Sequence, residues 1–128
     1  MSELEIVLLV LSLEGLLFIG LGYAMPGMAK NPLAGIRIRA TMADERVWRE
    51  THVRGGPRFT RLGVVILVTG LVLVVAPGPD GVRLALFGVL SIGGLAWYLW
   101  DVTRYANARL RHWRAVDRQA SRSSRGSA

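Results

Sequence analysis

The chain has 128 residues, 52% of them hydrophobic, and carries 16 Lys+Arg against 9 Asp+Glu for a formal net charge of +7. A mean hydropathy of +0.37 on so charged a chain means that its apolar and basic residues are segregated, which excludes an ordinary water-soluble core and a disordered basic protein. Cysteine is absent, which excludes disulfide frameworks, thiolate metal sites and cysteine nucleophiles.

Residues 1–25 contain the first membrane helix. Its apolar run, Ile6 to Met25, holds 20 residues, about the ~20 needed at ~1.5 Å per residue to cross a ~30 Å hydrocarbon core. The basic start of a secretory signal is missing, with Glu3 and Glu5 in its place, and no small-residue cleavage site follows, so a retained helix is expected. Residues 26–61 are polar and basic. Pro26-Gly27 breaks the first helix and Asn31-Pro32 favours a turn. A short helix is expected from Thr41, its hydroxyl capping the amides ahead, with Asp44 and Glu45 adding favourable charge at the N-terminus. Over residues 42–54 the pairs Glu45/Arg49 and Arg46/Glu50 stand at i,i+4, and Gly55-Gly56 is expected to end the helix. Such a helix suits the anionic headgroup surface.

The second apolar run, residues 62–77, is short for a span, and a helix starting at Pro57 and reaching Ala76 solves the problem. A Pro-Gly-Pro-Asp-Gly turn leads into the third span, residues 82–100, closed by an aromatic belt of Trp97, Tyr98, Trp100 and Tyr105. The basic tail, residues 101–128, has partial helical spacing through Tyr105, Leu110, Trp113 and Val116, and its last eight residues are expected to be disordered. The fold class is therefore all-α: an integral membrane protein with three transmembrane helices and a short amphipathic helix between the first and second.

Eight basic residues lie between spans one and two and seven in the tail, so 15 of 16 share one side and only Arg83 does not. The positive-inside rule makes that side cytoplasmic, with the N-terminus outside and the C-terminus inside. Juxtamembrane arginines are topology and lipid determinants, so anionic headgroups are the expected partner and nucleic acid is not.

Glu14 is the one charge in the first span, where a carboxylate costs roughly 2.5–3.5 kcal/mol. Either it hydrogen-bonds Ser12, Thr69, Ser91 or a backbone group as packing glue, or it faces a polar cavity or a peptide. No G-x-x-x-G pair occurs, and the scattered glycines are read as permitting close packing within the three-helix unit. His52 follows Trp48 at i,i+4. One histidine with scattered carboxylates makes no zinc site, and neither a Ser/His/Asp set nor a Gly-rich phosphate loop is present. No metal, cofactor or catalytic residue is therefore expected, and packing is the preferred reading of Trp48 and His52.

Asn31, Gly35 and Arg37, spaced N-x-x-x-G-x-R, are followed by Thr41, Asp44, Glu45, Val47, Trp48, Thr51, His52 and Gly55-Gly56. In this pattern the segment between the first two spans resembles the SdpI family of small bacterial membrane proteins. Ile38 departs from the pattern, which has Thr there. The resemblance implies a non-enzymatic protein of the bacterial inner membrane, here a minimal three-span module. Some members of the family protect a cell from a secreted toxic peptide and signal its presence by holding a regulator at the membrane. Residues 26–61 are expected to form the interaction surface, with Arg37 contacting either headgroups or a carboxylate such as Asp44, Glu45 or a partner's. Immunity against, or sensing of, a membrane-active toxin peptide is thus the expected function. The alternative is a small accessory subunit of a larger membrane complex.

Overall fold

The computed structural model describes residues 1–127, which are almost wholly helical, with no strand among them. Three helical stretches, Glu3–Gly27, Glu45–Val75 and Asp80–Gly126, are long and apolar enough to cross a membrane. The first comprises α1 (Glu3–Ser12), α2 (Glu14–Ala24) and a single 3₁₀ turn, Met25–Gly27. Ser2 starts α1 with a capping box, accepting from the Glu5 amide at 3.2 Å while its own amide donates to the Glu5 carboxylate at 2.7 Å. At Leu13 the helix tightens, and the Ser12 hydroxyl donates to the Leu9 carbonyl at 2.7 Å. A five-residue α3 (Arg39–Ala43) precedes α4 (Glu45–Val75), and α5 (Asp80–Gly126) completes the chain.

Helix α4 is the central element, with α1 and α2 packed along it on one side and α5 on another. Glycines set the first contact. Gly56, Gly63 and Gly70 recur every seven residues on α4 and meet Gly22, Gly15 and Ser12 in antiparallel order. A Cβ on Gly63 would lie 2.5 Å from the Gly15 carbonyl oxygen, and one on Gly56 would lie 2.6 Å from that of Gly22. The backbones therefore touch, and van der Waals contact at this range drives helix association where lipid offers no hydrophobic gain. Phe18 then stacks on Phe59 and Tyr98 meets Phe59 at a tilt, linking all three spans with centroids 4.5 and 4.9 Å apart.

Two expectations about helix ends are corrected. Gly55-Gly56 does not end a helix: α4 runs unbroken through Gly55, Gly56 and Pro57. Packing on both flanks overrides the local signal, because Gly56 is pressed on Gly22 and Pro26 while Tyr98 Oη donates to the Gly55 carbonyl at 3.1 Å. The end of the tail is also helical as far as Gly126, where disorder was expected; Ser121 and Ser124 each return a hydroxyl to the carbonyl three residues earlier. Both α4 and α5 thus extend well beyond their apolar spans on the basic side. At the opposite end, Arg83 donates to the carbonyls of Leu73, Val74 and Ala76 at 3.2–3.3 Å and to Asp80 at 2.7 Å. It caps the C-terminus of α4, where a cation is favoured and the last carbonyls lack helical partners.

Candidate functional site

The site is built where residues 28–38 fold down onto the polar half of α4, outside the apolar spans. Asn31 makes the turn: its Oδ1 accepts from the amides of Leu33 and Ala34 at 2.9 and 2.8 Å, and its Nδ2 donates to the Ala29 carbonyl. Gly35 has φ +101°, and a Cβ there would sit 2.5 Å from His52 Nε2. Only glycine fits both the backbone and the space.

That close approach brings the Ile36 amide to His52 Nε2 at 2.9 Å. An amide can only donate, so Nε2 is the unprotonated acceptor. Nδ1 carries the proton and donates to the Trp48 carbonyl at 2.7 Å. Burial pushes the His52 pKa below its usual value, against a smaller opposing effect from the Trp48 carbonyl. His52 is thus a neutral clamp with both nitrogens engaged. Trp48 stacks on it at 4.0 Å and sends its indole N–H to the Met28 carbonyl at 2.9 Å. Thr41 lies within α3 rather than at a helix start; its hydroxyl donates to the Ile36 carbonyl at 2.6 Å and accepts from the Ile38 amide at 3.1 Å. Thr51 is fully buried beside them.

The helix cap is Asp44, three residues beyond the expected Thr41. Its backbone is extended and its carboxylate accepts from the Arg46 amide at 2.8 Å. The side-chain hydrogen bond from Arg46 holds the Asp44 carboxyl below the usual carboxylate range. From there a row at i+4 spacing on α4, Arg46, Glu50, Arg54 and Arg58, faces a matching row on α5. Arg46 makes a two-point contact with Asp117 at 3.1 and 2.8 Å. Glu50 receives Arg109 at 2.6 and 3.0 Å and the Trp113 indole at 3.3 Å. Arg54 and Arg58 share Asp101 at 3.3 and 3.0 Å. The Arg46 and Arg109 guanidinium groups both lie over the Trp113 ring, and Arg54 lies over Tyr105. Hydrogen bonding by Arg109 lowers the Glu50 pKa, as hydrogen bonding by Arg46 lowers that of Asp117.

Asn31, Gly35, Thr41, Asp44, Trp48, Thr51 and His52 therefore converge on one folded loop-and-helix unit. Arg37 and Glu45 are not drawn into it. Arg37 is exposed and has no acidic partner among the described residues, so the contact with Asp44 or Glu45 is not formed; Arg46 takes Asp44, and Glu45 only approaches Arg49 at 3.9 Å. The i,i+4 pair of Arg46 with Glu50 is replaced by the contacts to α5. Glu14 stands apart at mid-span, partly exposed, with no side-chain partner among the described residues; Ser12 bonds Leu9 instead, and buried Ser91 Oγ is unpaired. Reading the chain locally gave no site role to Glu50, paired there with Arg46, or to Asp101, Arg109, Trp113 and Asp117. Their signal is the matched four-residue spacing of 46-50-54-58 and 101-105-109-113-117. Among the described residues, no group of His, Cys, Asp or Glu is placed to hold a metal ion.

No curated protein and no solved structure matches the chain. The sequence profile of the SdpI/YfhL protein family matches residues 28–100, from the carbonyl that anchors Trp48 to the end of the third span. That is more than half of the chain and covers the loop, His52 and the whole of α4, so this three-span protein belongs to the SdpI/YfhL family.

Proposed function

We propose that the protein is a non-catalytic bacterial membrane protein that confers immunity to, or senses, a membrane-active peptide. In this reading its basic side is cytoplasmic and serves as the interaction surface. Family membership supports the class, and the observation that carries the peptide reading is Glu14. Asp44, Glu50, Asp101 and Asp117 are all held by arginines, whereas Glu14 has no side-chain partner among the described residues, at a depth where a carboxylate costs roughly 2.5–3.5 kcal/mol.

Glu14 is partly exposed within the first span. A carboxyl held there is suited to a hydrogen-bond donor or cation that arrives within the bilayer, as on a membrane-inserted peptide. Occupancy of this carboxyl blocks the peptide, and the loop-and-helix unit reports it on the basic side. The test compares survival of cells with and without the protein, and with Glu14→Gln, during exposure to membrane-active peptides. Protection by the wild type and its loss in a normally inserted Glu14→Gln variant are expected. Equal survival with and without the protein would defeat the immunity reading.

A further inference from the structure

We propose that an open groove between α2 and α5, roofed by residues 33–38, is a binding site for one anionic phospholipid of the basic-side leaflet, with Arg37 holding its phosphate. The groove has a volume of about 520 Å³, within the ~300–1,000 Å³ of small-molecule sites. Leu21 and Met25 form one wall, Leu95 and Leu99 the other, and Phe59 the floor. Leu21 and Leu99 are 37% and 49% exposed, so the trough is open to acyl chains from the bilayer. Among the described residues no acidic side chain lines it.

The charge at its rim decides the occupant. Arg46, Arg54, Arg58 and Arg109 are each committed to a carboxylate, whereas Arg37, at the rim, has no acidic partner among the described residues. Leu33 stands on the same rim at 89% exposure, an apolar tip at the level where headgroups meet acyl chains. A cation at the rim of an apolar trough matches an amphiphile with a negative head and a hydrocarbon body, and a guanidinium can grip a phosphate through two parallel hydrogen bonds. A zwitterionic lipid carries its own cation beside the phosphate and fits less well. This inference makes no use of Glu14 and stands apart from the peptide reading.

Native mass spectrometry of the purified full chain, in detergent with phosphatidylglycerol or phosphatidylcholine of identical acyl chains, tests it. The wild type should retain phosphatidylglycerol in preference. Arg37→Ala should lower that retention about fivefold, the factor that one basic residue near an anionic surface contributes. Arg39→Ala, an exposed neighbour outside the groove, should change it much less, and Leu21→Trp, which fills the trough, should reduce retention of both lipids. Unchanged retention in a folded Arg37→Ala protein, or an equal loss from Arg39→Ala, would overturn the site in favour of a diffuse basic surface. Unchanged retention in Leu21→Trp would overturn it independently of Arg37.

Discussion

Removing His52 is the most informative single perturbation of the loop. The side chain is fully buried, accepts the Ile36 amide at 2.9 Å, donates to the Trp48 carbonyl at 2.7 Å and stacks on the Trp48 ring at 4.0 Å. In His52→Ala the Ile36 amide is left buried and unpaired, costing about 1–3 kcal/mol, and the vacated ring volume adds about 2 kcal/mol through lost packing. A total of roughly 3–5 kcal/mol should appear mainly as local opening of residues 28–38, since the membrane spans do not depend on this contact. Amide hydrogen exchange at Ile36 reads it directly, with protection falling by at least about a hundredfold.

Acid should act on the wild type in the same direction. The folded pKa of His52 lies below its ordinary value of 6.5, so the open loop binds the proton more readily than the docked loop. Docking is at full strength above about 6.5 and weakens as pH falls from there toward the folded pKa, by at most about 1.4 kcal/mol per pH unit. Protection of Ile36, corrected for intrinsic exchange, should therefore drop between about pH 7.5 and about pH 5.5. Protection unaffected by both the substitution and the acid would refute the clamp.

Glu50→Gln should loosen the pairing of the α4 and α5 extensions, whereas Glu45→Gln, whose exposed pair with Arg49 is 3.9 Å apart, should not; limited proteolysis of the tail distinguishes them. The same pairing is present above the ordinary Glu50 value of 4.5 and is lost as pH falls through its lowered folded value. Gly63→Ala should destabilise the bundle by about 1–3 kcal/mol through overpacking, while Gly20→Ala, which meets open space, should be neutral in thermal unfolding in detergent. Arg83→Ala should cost about 1–3 kcal/mol by leaving the last carbonyls of α4 unpaired, with Arg83→Lys recovering only part in the same assay.

The three spans were legible because apolar length is a one-dimensional property, and the arginines marked one side for the same reason. The helix contact was harder to read. A search for four-residue glycine spacing finds nothing, whereas the operative repeat is seven, 56-63-70 against 15-22, and recognising it requires knowing which helix is the partner. Gly55-Gly56-Pro57 carries a strong local stop signal, overridden by Gly22, Pro26 and Tyr98 from elsewhere in the chain. The ion pairs show the same limit: Arg46 has Glu50 four residues away, yet it bonds Asp117, 71 residues distant. In the loop, Asn31 announced its turn, but the role of His52 depended on where Gly35 brings the Ile36 amide, which spacing alone does not reveal.

The central claim is that the basic-side extensions of α4 and α5 form one docked antiparallel unit behind the loop. Because the chain has no cysteine, paired cysteines can be introduced without background. Arg46→Cys with Asp117→Cys, treated in native membranes with a short thiol-to-thiol linker, should be joined rapidly within one chain. Arg46→Cys with Arg125→Cys should not. Equal linkage of the two pairs, or none at 46 and 117 in a correctly inserted protein, would contradict the docked arrangement.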